Sequence, residues 1–295
     1  MSAPAPALCL LDGEVLPLTE ARVSPLDRGF LFGDGVYEVA RIVGGGLVFW
    51  EEHRRRLADG LAATRIAPAG GVAAVERGLG ALLAAAAVEE GSLYLQVTRG
   101  AGPREKIPPP TLAPTLFAFA SAHGHPAPAS RPQTAIAHDD HRWGRCDVKS
   151  ISLMGSVLGK LAARDAGADE VLFVGSAGEV REGGSTTFLV VQDGALVTHP
   201  LGRRILPGVT RAALLAAAAD LGLPVEERPP LLSERAAWQE AMTAATLLGV
   251  QPVVRLDGEP VGGGEPGPWT RRLAEAVAAR EPRHLTRLPS GAAAG

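Results

Sequence analysis

Arg142-Trp143-Gly144-Arg145-Cys146-Asp147-Val148-Lys149-Ser150 is a polar run near the middle of the chain, and the patterned segments on either side of it set the architecture. Just before it, residues 133–137 read as a strand, and after it a helix runs to near Gly167. Further upstream, Asp12-Gly13 is the turn between two short strands, and residues 36–43 form a longer one. There Tyr37, Val39 and Arg41 share one face while Glu38 and Ala40 share the other. Leu57 and Leu61 lie one turn apart in a helix over 51–63, and Val72, Val75, Leu79, Leu82 and Ala86 recur at the spacing of a second. Leu93, Leu95 and Val97 alternate with Tyr94, Gln96 and Thr98 in a half-buried strand, and residues 116–120 form another.

A Pro/Ala/His-rich stretch then breaks the pattern. The expected organisation is a small N-terminal α/β domain over 1–121, a linker over 122–132, a larger domain over 133–280 and a flexible tail over 281–295. Strands over 170–174, 179–182, 186–192 and 195–199, punctuated by Gly178, Gly183-Gly184 and Asp193-Gly194, give the larger domain a β-rich, barrel-like meander. Pro207-Gly208 opens an Ala/Leu helix that stops at Gly222, with Pro224 beyond. The class is α+β.

At 46% hydrophobic residues the chain can bury a core, and a formal net charge of -3 spread along it excludes the footprint of a nucleic-acid binder or a membrane-surface protein. Cys9 and Cys146 cannot build a disulfide framework and lack metal-ligand neighbours, so a reducing, cytoplasmic home and no metal are expected. The first eleven residues show no basic n-region or long apolar stretch. Residues 81–88 and 212–219, the longest apolar runs, fall short of the ~20 residues that span a bilayer.

Four features carry little weight singly. A lone lysine such as Lys149 is usually a solvated charge, and Glu182 before Gly183-Gly184-Ser185 suits a polar turn. Pro207-Gly208-Val209-Thr210-Arg211 suits an ordinary helix start, and Arg56, ending the basic run from His53, suits an exposed helix face. Together they supply an amine, an acid, an anion-binding helix start and a cation.

The segment Asp27-Arg28-Gly29-Phe30-Leu31-Phe32-Gly33-Asp34-Gly35-Val36-Tyr37-Glu38-Val39 and the run ending in Lys149-Ser150 resemble the bacterial D-amino-acid transaminases. These are a branch of the fold-type IV family of pyridoxal 5′-phosphate (PLP) enzymes. The likeness continues through Ile205-Leu206-Pro207-Gly208-Val209-Thr210-Arg211 and Gly267-Pro268-Trp269-Thr270-Arg271. It implies a two-domain PLP enzyme in which Lys149 forms the Schiff base and moves the substrate proton, and Glu182 faces the pyridine nitrogen. It implies that Arg56, the Val209-Thr210 amides and Thr246 bind the phosphate, with Ser185 and Thr186 on the cofactor side and Leu206 against the ring. Tyr37, Arg104 and Lys106 would take the substrate carboxylate, with Val39 and Leu247 beside the substrate. The family's carboxylate loop reaches into a partner's site, which implies a homodimer.

Three positions depart from that pattern. Lys106 stands where the branch has histidine; it either keeps a charged donor in the trap or pairs with Glu105 in solvent. Thr187 replaces an asparagine after Glu182, and Leu247-Leu248 follow Thr246 where hydroxyl residues are common. The expected activity is ping-pong transfer of an amino group between a D-amino acid and a 2-oxo acid. Branched-chain aminotransferase, aminodeoxychorismate lyase and a non-catalytic PLP-binding protein stay open as alternatives. No Gly-x-Gly-x-x-Gly follows a strand and opens a helix in the first half, so a dinucleotide enzyme has no support.

Overall fold

Asp12 and Gly13 take positive φ (49° and 95°), and the turn they make folds strand β1 (Leu8–Leu11) back on β2 (Glu14–Pro17). An Asp-Gly pair favours this geometry because glycine adopts the left-handed region without a Cβ penalty. In the computed structural model, which describes residues 7–289, the chain divides into two compact units. One comprises the described chain up to His125, Val148–Ser152 and the segment from Pro282; the other comprises Pro126–Asp147 and Leu153–Glu281.

In the first unit helix α1 (Arg28–Phe32) leads into β3 (Gly35–Val43), followed by β4 (Gly46–Val48), α2 (Trp50–Thr64), α3 (Gly71–Ala86), β5 (Glu90–Thr98) and β6 (Leu116–Ala122). The sheet order is β4-β3-β5-β6-β1-β2, with the short strand Leu285–Thr286 beyond β4. Ala40, Ile42, Leu93, Leu95, Val97 and Ala118 of the sheet form one cluster with Leu57, Leu61, Val75, Leu79 and Leu82 of the helices. Each such leucine, fully removed from water, contributes about 1.5–3 kcal/mol.

The segment Val148–Ser152 returns to this unit through its backbone. The Tyr37 N–H donates to the Lys149 carbonyl at 3.0 Å, and the Ile151 N–H donates to the Gly35 carbonyl at 3.1 Å. A Cβ on Gly35 would lie 2.8 Å from the Val97 carbonyl and 2.9 Å from Ile151, so only glycine lets the segment approach β3 this closely. This moves Lys149 out of the larger domain in which the sequence boundaries placed it. The tail is also firmer than composition suggested: Leu285–Thr286 pairs with β4, and the Phe49 N–H donates to the His284 carbonyl at 2.9 Å. The rest of that expected tail, from 290, lies outside the described residues.

The second unit runs β7 (Gln133–Asp139), α4 (Met154–Asp165), β8 (Glu170–Val174), β9 (Val180–Gly183), β10 (Thr187–Gln192), β11 (Ala195–Thr198), α5 (Val209–Asp220), β12 (Val225–Glu227), β13 (Trp238–Ala245), β14 (Gly249–Leu256), β15 (Glu259–Pro260) and α6 (Pro268–Ala278). Pairing proceeds β10-β13-β14-β7-β8-β9 and closes through Thr187 opposite Glu182, a six-stranded closed barrel that takes β8, β9 and β10 from the expected meander and leaves β11 outside the ring. Closure leaves these strands no free edge. Phe188, Val190, Leu172, Val180, Trp238 and Val253 are among the residues of its core. Among the described residues no helix is long and apolar enough to cross a membrane.

Strand β13 reaches out to start helix α6. Buried Glu240 accepts from the Trp269 N–H at 2.9 Å and from the Thr270 N–H and hydroxyl, each at 2.7 Å. A carboxylate on the open N–H groups of a helix start is favourable twice over, by hydrogen bonding and by the dipole. Replacing Glu240 by alanine should lower stability by about 1–2 kcal/mol, seen as a lower urea midpoint with an unchanged denaturant slope.

Candidate active site

Strand alternation does the first sorting of side chains. On β3, Val36, Glu38, Ala40 and Ile42 are buried on the helix-covered face, and Tyr37 and Val39 are half-buried on the other. Lys149, half-buried, sets its Nζ 4.2 Å from the centroid of the Tyr37 ring. An amine over an aromatic face is held by the ring quadrupole as well as by the main-chain bonds beneath it. Tyr94, opposite Val39 on β5, stacks on Tyr37 at 5.9 Å, and burial followed by the neighbouring Tyr37 pushes its phenol up to about 12.

On the other face of β3 lies a buried ionic triad. Glu38 Oε1 accepts from Arg56 Nε at 2.7 Å, and Oε2 accepts from Arg56 Nη2 at 2.8 Å. His53 Nδ1 lies 2.7 Å from Oε2. Both Glu38 and His53 have no exposure, and Arg56 is 9% exposed. Burial alone would raise the Glu38 carboxyl, but Arg56 and then His53 outweigh it and hold it at about 2. Burial pushes His53 down, against the pull of Glu38, so the ring is neutral and its Nδ1–H donates to the carboxylate. His53 Nε2 is buried with no hydrogen-bond partner. Arg56 thus belongs to a preset buried cluster and not to the exposed helix face that its basic neighbours suggest. Glu38 and His53 escaped the sequence reading; the signal was His53-x-x-Arg56 on one helix face, with an acid out of phase with Tyr37 on a strand.

Arg104 and Lys106 lie exposed on the loop after β5, and the Arg104 guanidinium is 5.6 Å from the Phe32 ring.

In the second unit Glu182, 7% exposed, is the next-to-last residue of β9. Its Oε1 takes a close hydrogen bond from Arg142 Nη1, and its Oε2 accepts from the Leu206 N–H at 2.9 Å. Arg142 is gripped in turn by Asp140 at 2.9 Å, which also accepts from Arg181 at 2.9 Å, and it lies 4.5 Å from the Phe173 ring. Burial pushes the Glu182 carboxyl up, against the pull of Arg142 and the Leu206 N–H. Arg142 and Asp140 were not read from the sequence as site residues, although Arg142 begins the run that ends in Lys149-Ser150 and Asp140 lies two residues before it.

Around Glu182 the barrel gathers most of the other candidates of this unit. Thr187 pairs with Glu182 on one side and Ala244 on the other, and Thr246 and Leu247 follow in the half-buried turn after β13. Thr186 is buried and donates to Glu170 Oε2 at 3.1 Å, whereas Ser185 beside it is exposed. Helix α5 begins with buried Val209 and Thr210 and has no side-chain cap, which leaves its first amides open to an anion. A Cβ on Gly208 would lie 2.7 Å from Thr187 Oγ1, so glycine here brings that helix start against the barrel.

Residues 35–256 match the model of the amino-transferase class IV family. A D-alanine aminotransferase of Staphylococcus haemolyticus is 35% identical over 90% of this chain and 94% of its own length. Among solved structures, the Escherichia coli branched-chain amino acid aminotransferase superposes with a TM-score of 0.88 at 22% identity, covering 94% of this chain and 95% of that one. A hypothetical aminotransferase from Mycobacterium tuberculosis in its PLP-bound form gives 0.80 at 23% identity, over 93% and 99%.

Losing the Glu38 charge leaves two buried partners without their anion, so Glu38→Gln should destabilise the protein at pH 7 by about 3–5 kcal/mol. Because the folded carboxyl sits at about 2 against 4.5, its contribution is complete above 4.5 and is lost as pH falls from there towards 2. The stability gap between wild type and the variant, followed by urea melts, should therefore close across that interval.

Proposed function

Since the chain belongs to the class IV aminotransferases, we propose that it is a PLP-dependent transaminase that carries amino groups between a D-amino acid, such as D-alanine or D-glutamate, and a 2-oxo acid. The observation that carries the reading is Lys149, an amine set over Tyr37 by main-chain bonds, in a chain 35% identical to a D-alanine aminotransferase.

The residues present fit the cofactor. A phosphate needs donors and positive potential; the guanidinium of preset Arg56 offers both, and the resemblance adds the uncapped amides at Val209-Thr210. Thr246 would add a hydroxyl to the phosphate, Ser185 and Thr186 would line the cofactor side, and Leu206 would pack against the ring. Glu182, held by Arg142 and the Leu206 N–H, would face the pyridine nitrogen.

Bound PLP supplies an electron sink that draws charge from the substrate α-carbon. Lys149 Nζ would be the amine that holds the cofactor and, once the incoming substrate amine had displaced it, would be free to take up and return the α-proton. Tyr37, Arg104 and Lys106 would orient the substrate carboxylate, and Val39 and Leu247 would meet its side chain. The first keto acid leaves before the second binds, which makes the kinetics ping-pong. A homodimer in the cytoplasm is the expected state, supported by the resemblance of the carboxylate loop and by the two unpaired cysteines.

D-alanine with 2-oxoglutarate should yield pyruvate and D-glutamate, and L-alanine should not, as read by chiral chromatography. Turnover of L-substrates alone would defeat the D-assignment in favour of a branched-chain enzyme. Colour on adding PLP without turnover of any amino acid would favour a binding protein, and no colour would defeat both. Lys149→Ala should lose colour and turnover together. Lys106→His should keep turnover and shift the preference among acidic and neutral D-amino acids; an unchanged preference would place Lys106 in solvent.

A further inference from the structure

Arg28 opens α1, a position where an arginine is ordinarily solvated, yet it is only 3% exposed. Its Nε donates to Asp34 Oδ2 at 2.8 Å, and its guanidinium lies 4.7 Å from the Phe32 ring. Asp34 is anchored independently: Arg99 donates to both of its oxygens, at 2.8 and 2.9 Å, and ties itself to the end of α2 through the Thr64 and Arg65 carbonyls. The two arginines hold the Asp34 carboxyl below its usual value against the effect of burial. Arg28 is therefore fixed in place before its last two nitrogens are considered.

Those nitrogens point at the loop carrying Arg104 and Lys106. Nη1 donates to the Glu105 carbonyl at 2.5 Å and Nη2 to the Lys106 carbonyl at 3.4 Å. The base of the loop is tied separately, from the Arg28 N–H to the Gly100 carbonyl at 2.9 Å, from the Gly102 N–H to the Leu26 carbonyl at 3.2 Å and from the Gly100 N–H to Thr98 Oγ1 at 3.0 Å. Its tip, residues 103–107, buries no side chain. Ordering such a segment costs about 1–2 kcal/mol per residue in backbone entropy. The buried guanidinium grips the tip at two main-chain points, beside the contact of Arg104 with the Phe32 ring, and a planar fork can meet two successive carbonyls as a point-charge ammonium cannot.

We propose that Arg28 is a positioning residue: by clamping the Glu105 and Lys106 carbonyls to the Asp34–Arg99 anchor, it aims the Arg104 and Lys106 side chains at the substrate carboxylate. The proposal rests on the reading of those two side chains as carboxylate ligands. A role confined to supporting α1 would lower stability but would not alter substrate affinity selectively.

The test compares wild-type holoenzyme with Arg28→Ala, Arg28→Lys and Arg104→Ala, using D-alanine kinetics, PLP affinity by absorbance titration and the rate of trypsin cleavage after Lys106. Arg28→Lys keeps a cation for Asp34 and guards against a variant that fails to fold. Both Arg28 variants should bind PLP as wild type does, raise KM for D-alanine on the order of ten- to a hundredfold with little change in kcat, and be cut faster at the loop. The proposal is overturned if Arg28→Lys matches wild type in KM and cleavage while Arg104→Ala raises KM, or if it lowers kcat with KM unmoved. If Arg104→Ala itself leaves KM unchanged, the carboxylate reading has failed and the clamp falls with it; the two failures are told apart by that single variant.

Discussion

A carboxylate with no exposure, Glu38, binds Arg56 at two points and His53 at a third, and the first unit is organised round that cluster. Taking charges out of water costs several kcal/mol per ion and is offset only when geometry is good and the remaining polar atoms are satisfied. Such a cluster does not tolerate a shifted strand. Sliding β3 by one residue would turn Glu38 out and press Tyr37 against α2, since side chains alternate with a period of two. The triad therefore fixes the phase of β3, and with it the face on which Tyr37, Val39 and the Lys149 amine meet. Held this way, Arg56 loses little freedom when an anion arrives, which is the physical content of preorganisation.

The same device recurs. Asp34 holds Arg28 and Arg99, and Asp140 holds Arg142 and Arg181. In each case an acid with no evident role in chemistry fixes an arginine whose remaining nitrogens are spent elsewhere, on loop carbonyls in one and on Glu182 in the other. These acids act through the cations they orient.

β3, β5, α2 and α3 were legible from their periodicity and the β8–β11 meander from the glycine turns that punctuate it, and all follow their expected spans closely. Strands β13 and β14 were not. Trp238–Ala245 is buried at nearly every position, so it shows no alternation, and its alanines give no contrast with helix. Helix α1 is too short to show a period and is set by Asp27 accepting from the Gly29 N–H. Lys149, Arg56 and Glu182 were proposed from motifs, because the roles the resemblance assigns to them demand particular residue types. The partners that orient them, Glu38, His53 and Arg142, answer to contacts between segments far apart in sequence, and no spacing rule encodes those. The tail could not be read because its strand is specified by an open edge of β4 more than by its own residues.

The departures at Lys106 and Thr187 acquire a common explanation from the backbone. At 106 the loop is held through its main-chain carbonyl, so the side chain can change without rebuilding the loop. At 187 the residue is fixed by strand pairing to Glu182 and Ala244 and lies closely against Gly208. A compact β-branched residue suits that confined strand position, and it supplies one hydroxyl where asparagine would offer a donor and an acceptor. Backbone contacts that specify geometry without reference to the side chain leave the side chain at liberty to set specificity. Lys149, by contrast, is placed by the approach of its main chain to β3, and Glu182 and Arg56 are placed by bonds of their own side chains.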